Sequence, residues 1–289
     1  DQRCRHPDAG WVHVVSAKGE AVDARRDLYD HAFIMLAGAA AHSARPHSKG
    51  LSLAMEAFEY VEENLRDPEV SGYLEDSLGT LPRRSNPHMH LLEAFLGLYS
   101  ATKDKAFLNR ATDIVTAFET HFFCPQNDTL GEYFNEKLDR ADSDFFMPGH
   151  HYEWASLLEY HRQLTDRDTL SWQRRLIAKA DKSGRSPVTG FARNSILHDG
   201  DVHDGKQRIW HQLEIFRARV LHPSLGDHVA ADRLLRSFHD AYLQPAPKGT
   251  WVDELDEQGI PSSKTIPASI LYHLVTAFEP VLIGRRKQN

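Results

Sequence analysis

Residues 148–154 read Pro-Gly-His-His-Tyr-Glu-Trp and combine a helix start with a dense group of polar and aromatic side chains. Proline suits the first turn of a helix, because its missing N–H would have no intrahelical acceptor there. Similar polar starts recur along the chain at a constant distance, since 60 residues separate each of Asp30, His90, His150 and Trp210 from the next. Spacing of this kind predicts a repeated structural unit.

The hydrophobic pattern outside this stretch predicts helices. Apolar residues three and four positions apart indicate amphipathic helices near residues 26–43, 49–66, 88–102, 105–123, 150–165, 168–182, 208–222, 227–243 and 268–284. Short and long connections alternate, and the long ones carry a glycine followed closely by an aromatic residue, at Gly10, Gly72, Gly131, Gly190 and Gly249. The sequence therefore predicts an all-α fold of helical hairpins with short β-hairpin loops, arranged as an α/α barrel. Equivalent helix starts would then face one central cavity.

Composition and charge exclude several classes of protein. The 289 residues are 41% hydrophobic, which is enough for a core, and we expect a single domain over residues 1–289. The net charge of −7 argues against nucleic acid or an anionic membrane as the main partner. The longest apolar stretch, near residues 32–41, is about half of a bilayer span. The two cysteines lie 120 positions apart, which argues against a disulfide framework or a thiolate zinc site and favours the cytoplasm.

The 18 histidines supply candidates for acid/base chemistry. His150 and Glu153 are three residues apart and share a helix face, so the carboxylate can orient an acid/base imidazole. The alternative is a helix start with an ordinary acidic first turn. The position of His150 in the repeat favours the functional interpretation.

A second polar group opens another helix at Asn86. His88 and His90 follow it and cannot share a helix face, so only one of them, His90, is expected to point into the cavity. The alternative is a solvated helix entrance. The preceding pair Arg83-Arg84 could bind a substrate phosphate, although a solvated pair in a loop is the favoured interpretation.

Two later segments complete the candidate set. Trp210 and Glu214 are four residues apart, and an indole beside a carboxylate suits a sugar, although a core tryptophan with an exposed glutamate fits equally well. His273 is a candidate site residue only because of its place in the repeat. No His-Glu-x-x-His motif is present and the candidate histidines are scattered, so the sequence predicts no metal site.

Five segments resemble the N-acylglucosamine 2-epimerase family, which includes mannose and sulfoquinovose aldose-ketose isomerases. They are residues 27–33, 86–94, 148–154, 208–214 and 272–274, and they span nearly the whole chain in family order. The resemblance implies an (α/α)6 barrel and cofactor-independent proton transfer beside a sugar carbonyl. It also implies acid/base roles for His150 and His273, with Glu153 as the partner of His150. Similar carry-over implies that the sugar site is lined by Tyr29, Asn86, His90, Arg140, Trp210 and Glu214.

The number of helices departs from the family pattern. The family's barrel has twelve helices, whereas nine are predicted here, and the first three lack a counterpart, together with an arginine that the family contributes from that region. An incomplete ring would expose an apolar seam. We expect an N-terminal portion beyond the given chain, the alternatives being a partner subunit over the gap or a defective product.

The residues favour a sugar isomerase acting through an enediol. One group opens the sugar ring and another removes the C2 proton, and a neutral imidazole can do either. Return of the proton to C1 gives a ketose, and its return to the opposite face of C2 gives the epimer. We expect conversion of an aldose such as D-mannose to its ketose, with an N-acylglucosamine or aldose 2-epimerase as the alternative. A glycoside hydrolase using Glu153 and Glu214 and a non-catalytic sugar- or protein-binding member also stay open, as does a homodimer.

Overall fold

The computed structural model describes residues 2–46, 48–140, 145–222 and 228–286. Its α-helices in these ranges are α1 (Leu28–Ala44), α2 (Gly50–Asn64), α3 (Ser85–Thr102), α4 (Lys105–Ala117), α5 (Pro148–Leu164), α6 (Leu170–Gly184), α7 (Ile209–Leu221), α8 (His228–Phe238) and α9 (Ile270–Arg286). Each corresponds to one of the helices predicted from the hydrophobic pattern. None of the described helices is both long enough and apolar enough to span a bilayer.

The strands lie in the connections, as predicted, and each described strand has two or three residues. They are β1 (Val14–Val15), β2 (Ala21–Asp23), β3 (Arg66–Asp67), β4 (Gly72–Tyr73), β5 (Arg83–Arg84), β6 (Phe123–Cys124), β7 (Thr129–Leu130), β8 (Tyr133–Phe134), β9 (Phe145–Phe146), β10 (Ser195–Leu197), β11 (Val202–Asp204), β12 (Gln207–Arg208) and β13 (Glu254–Leu255). Strands this short serve to shape the loops that precede the helices.

The chain divides into two compact units. The first comprises residues 1–123 and 131–143, and the second comprises residues 124–130 and 144–289. In the first unit α1 packs on α2 and α3, and α3 packs on α4. The antiparallel pairs β1–β2, β3–β4 and β5–β8 belong to this unit. It is therefore built from two successive helical hairpins whose first helices, α1 and α3, pack against each other.

The second unit repeats this arrangement with one more helix. Here α5 packs on α6 and α7, and α7 packs on α8 and α9. Strand β10 pairs with β9 and β11, and β12 pairs with β13. Burial differs between these helices, because α5 and α7 are covered nearly all round at their starts, whereas α6 buries one face only.

Two predicted helices, 105–123 and 227–243, are shorter as α-helices. Each ends in a five-residue π-helical turn, at Phe118–Phe122 after α4 and at His239–Leu243 after α8. The predicted glycine-aromatic loops also differ among themselves, since Gly10, Gly190 and Gly249 have φ of 75°, 76° and 82° whereas Gly72 and Gly131 are not among the residues with positive φ. In three of the five loops glycine is thus required by the backbone conformation.

Candidate active site

The starts of α5, α7 and α9 bring together the predicted residues of the second unit. Trp210 lies at the centre of this group. Its ring centroid is 5.2 Å from that of His150 on α5, 5.3 Å from that of His273 on α9, and 3.7 Å from that of its neighbour His211. The indole is only 8% exposed. Three imidazole rings therefore pack against the indole of Trp210.

Gly149 allows α5 to approach α7 this closely. A Cβ atom at this position would lie 2.5 Å from Trp210 Cζ3 and would also overlap the His211 ring. The backbone N–H of Gly149 donates to His211 Nδ1 at 3.0 Å. Burial lowers the pKa of His211 well below its ordinary value, so this imidazole is a neutral acceptor. Sequence analysis did not single out His211.

A buried carboxylate holds His273. The Nδ1 atom of His273 is 2.7 Å from Glu214 Oε1, and Glu214 is completely buried. Because a carboxylate can only accept, Nδ1 carries the proton and Nε2 is the atom left for other partners. Sequence analysis expected Glu214 among the sugar contacts, whereas its described contacts are with His273 and, at 3.5 Å, with Arg217 Nη1.

Glu153 belongs to the same group. The hydroxyl of Tyr272 donates to Glu153 Oε1 at 3.3 Å, and ligand atoms of Glu153, Glu214 and His273 lie within 4.8 Å of one another. The sequence showed no triad with metal spacing, and the fold assembles this one from three helices. Hydrogen bonds from His273 and Tyr272 to the carboxylates account for the grouping, and we assign no metal to it.

The remaining predicted residues lie in the first unit. The ring of His90 packs edge-on against Tyr29 at 5.0 Å and against Phe33 at 4.7 Å. Asn86 is half-buried in the first turn of α3. Arg140 is half-buried in a loop and forms an isolated backbone bridge with Phe134.

His88 has a different role from His90. Its Nε2 accepts the backbone N–H of Tyr73 at 3.1 Å, and its Nδ1 lies 3.0 Å from the carbonyl oxygen of Arg84. Burial lowers its pKa to about 4. Since both ring nitrogens are used by the backbone, His88 is a structural anchor.

The same anchor occurs at the fourth residue of four helices. His31 in α1 accepts from Trp11 N–H at 3.3 Å, His151 in α5 accepts from Leu130 N–H at 3.1 Å, and burial lowers the pKa of both, that of His151 to about 3. In α7 the position is occupied by Gln212, whose Oε1 accepts from Ala192 N–H at 2.7 Å. Each anchor ties a long connection to the helix that follows it.

These anchors correct the interpretation of the constant 60-residue spacing. Asp30, His90, His150 and Trp210 occupy the third, sixth, third and second positions of their helices, so they are not structurally equivalent. The anchors are equivalent, and their separations vary because the connections vary in length. A histidine or glutamine at the fourth residue of a helix is the signal that marks them, although His273 is also the fourth residue of its helix, α9, and contacts Glu214 instead.

The pair Arg83-Arg84 forms strand β5 and is bound by carboxylates, with Arg83 buried and the side chain of Arg84 39% exposed. Arg83 Nη2 contacts Asp67 Oδ2 at 2.7 Å, and Arg84 is paired with Glu75 and lies 3.6 Å from Asp27. Carboxylates of the first unit already neutralise both guanidinium groups.

Comparison with known proteins identifies the family. The family model described as N-acylglucosamine 2-epimerase matches residues 2–277 of the chain. The chain belongs to this family. A mannose-6-phosphate isomerase of Rhizobium meliloti is 28% identical over 285 residues, covering 94% of this chain and 73% of that protein. A D-mannose isomerase of Thermobifida fusca is 30% identical over 296 residues, covering 86% and 70%.

The fold is also that of a solved member. A crystal structure of D-mannose isomerase superposes with a TM-score of 0.84 at 22% identity, covering 98% of this chain and 78% of the other. The prediction of an all-α protein of the (α/α)6 barrel class is thereby confirmed. The relatives also confirm the prediction of an enzyme of the sugar isomerase or 2-epimerase type.

Proposed function

We propose that the protein interconverts an aldose such as D-mannose with its ketose, without a cofactor, by histidine-mediated proton transfer through an enediol. The supporting observation is that two imidazoles from different helices, His150 and His273, pack on the same indole of Trp210. Two acid/base groups held around one side chain can serve one small substrate. The names of the relatives support a mannose-type sugar.

His273 is suited to accept or return a proton at Nε2. The hydrogen bond to Glu214 fixes the tautomer and the orientation of the ring, and the negative carboxylate stabilises the imidazolium that forms when Nε2 takes a proton. A protonated His273 can then donate to a developing enediolate oxygen. The Glu214–His273 pair therefore provides both halves of an acid/base cycle.

His150 supplies the second acid/base group in this scheme. One imidazole moves protons between the ring oxygen and the anomeric hydroxyl, and the other transfers the proton between C2 and C1. Both rings pack on Trp210, so we assign the indole the role of positioning the two imidazoles as well as contacting the sugar. Glu153 completes the group by holding the hydroxyl of Tyr272.

A 2-epimerase remains the second candidate, because both reactions begin by removing the C2 proton.

A glycoside hydrolase is disfavoured because its two required carboxylates are already engaged. Glu214 accepts from His273, and Glu153 accepts from the hydroxyl of Tyr272. A nucleophile or general acid must instead reach the glycosidic bond.

The family resemblance assigns four residues of the first unit to sugar binding, and we keep that assignment as a proposal: Tyr29, Asn86, His90 and Arg140. The pairing of Arg83 and Arg84 with carboxylates favours an unphosphorylated sugar, whereas the name of the Rhizobium meliloti relative favours mannose 6-phosphate. The cytoplasm and a homodimer remain predictions.

Proton NMR in heavy water tests the function. The protein is incubated with D-mannose, mannose 6-phosphate, N-acetylmannosamine and glucose, and products and deuterium incorporation are followed. We expect a ketose from mannose with deuterium in the carbon skeleton. A C2 epimer would replace the isomerase by the epimerase, and unchanged sugars without exchange would refute both.

Alanine variants test the assigned residues. We expect His150→Ala and His273→Ala to abolish turnover while the helical circular dichroism is retained. His239→Ala is the matched control, because that side chain is 61% exposed on the π-helical turn after α8. Retained turnover in both site variants would remove the mechanism.

A further inference from the structure

We propose that Arg217 is a positioning residue for this reaction, acting on His273 through Glu214. The proposal rests on the proposed function, because it gives Arg217 a part in placing the acid/base imidazole. Arg217 does not touch His273 in any described contact. Its effect would pass through the carboxylate between them.

The contacts place Glu214 between two nitrogen-bearing groups. Oε1 of Glu214 accepts from His273 Nδ1 at 2.7 Å, and Oε2 lies 3.5 Å from Arg217 Nη1. The guanidinium of Arg217 also lies over the ring of Tyr160 on α5, 5.4 Å from the centroid. Both carboxylate oxygens therefore have a partner, and one of those partners is itself held against a neighbouring helix.

Burial couples the charges of Glu214 and Arg217 closely. The side chains of Glu214 and Arg217 are 0% and 2% exposed, and a buried charge requires an opposite charge close by. Arginine stays protonated, so its charge is permanent. A carboxylate fixed at both oxygens presents Oε1 to the imidazole in one orientation, and the ring of His273 is oriented in turn.

The chain contains a second pair with the same spacing. On α5, Arg162 lies three residues after Glu159 and forms a two-pronged contact with it, with N–O distances of 2.8 Å. The side chain of Arg162 is 37% exposed, and no described contact joins this pair to His150 or His273. Arg162 therefore provides a control for the loss of a helix arginine that carries no catalytic role.

Steady-state kinetics with D-mannose give the first test. We expect Arg217→Met to lower kcat about 10²-fold with KM within about threefold, since a misplaced catalytic group affects the chemical step. Arg217→Lys should recover part of kcat because it keeps the charge. Arg162→Met should leave both constants unchanged. A KM effect alone, or an unchanged kcat in folded Arg217→Met, would overturn the proposal.

A double-mutant cycle shows whether Arg217 acts through Glu214. Glu214→Gln removes the charge that Arg217 compensates, so Arg217→Met should cost little further kcat in that background, and additive losses would contradict the relay. The Glu214→Gln/Arg217→Met protein lacks both charges. If Arg217→Met alone does not fold, the kcat of this double variant is compared with that of Glu214→Gln.

NMR of histidine-labelled protein separates this proposal from the proposed function. We expect a protected His273 Nδ1–H resonance in the wild-type protein that is lost or exchanges faster in Arg217→Met, and unchanged protection would contradict the relay. This readout needs no turnover. Absence of sugar conversion with the resonance response intact would refute the function and retain the relay.

Discussion

His150 and His151 are neighbours in the chain and lie in different environments. His150 packs on Trp210 with the other candidate acid/base residue, whereas His151 uses both ring nitrogens for backbone groups, at Leu130 N–H and at the carbonyl oxygen of Leu176. The histidines of the candidate site and the anchor histidines thus form two regions at the helix starts. Histidines are abundant at the helix starts for two separate reasons, namely the chemistry of the candidate site and the anchoring of the loops.

The largest expected effect separates these regions by activity. His150→Gln should lower kcat by about 10³-fold, because general acid/base catalysis contributes on the order of 10²- to 10⁴-fold, with a midpoint of thermal unfolding close to wild type. His151→Gln should keep kcat within about threefold. Comparable losses of kcat in His150→Gln and His151→Gln would contradict the assignment of different roles to these two histidines.

Acid stability tests the anchors directly. The pKa of His88 is lowered to about 4 and that of His151 to about 3 in the folded protein, against about 6.5 when unfolded. Stability is therefore complete above about pH 6.5 and falls with pH toward the folded values, because only the unfolded chain takes up protons. Protonation at each anchor should lower the free energy of unfolding by about 2 kcal/mol between pH 7 and pH 5.

Glutamine variants provide the measurement, because Gln212 already fills the equivalent position in α7 without titrating. Urea unfolding of His88→Gln and His151→Gln at pH 7 and pH 5 should show a smaller loss of unfolding free energy than wild type. His239→Gln serves as the exposed control. An unchanged pH dependence in both anchor variants would show that these imidazoles do not titrate as described.

Substitution of Gly149 tests the close packing of α5 on Trp210 and His211. Gly149→Ala should destabilise the fold by about 1–3 kcal/mol through overpacking and lower kcat, because the new methyl would displace Trp210 and His211. Gly97→Ala in α3 is the control, since its Cβ would meet only ordinary contacts at 3.4 Å and beyond. Equal unfolding midpoints for the two variants would contradict the close packing.

The smallest expected effect concerns the indole. Because the indole supports both imidazoles, Trp210→Phe should lower kcat about tenfold, a cost of about 1.4 kcal/mol, with KM within about threefold. Pure sugar stacking would instead raise KM and spare kcat. Steady-state kinetics on D-mannose decide between the two roles.

Much of the fold followed from the sequence, because apolar spacing and glycine-aromatic loops are local signals. The helix at 150–165 and the order of the hairpins needed no tertiary information. The role of Glu214 could not be predicted, since its partner His273 lies 59 residues away and only packing of α7 on α9 joins them. The anchors were missed because a constant 60-residue spacing coincided with residues in different helical positions.

The anchors also affect how a pH–activity curve of this protein should be interpreted. Imidazoles of the scaffold and of the candidate site belong to the same residue type, so acid can lower the activity by destabilising the loops as well as by acting at the site itself. An acidic limb that moves when His88 or His151 becomes glutamine reports loosening of the scaffold. Only the limb that survives both replacements describes the chemistry.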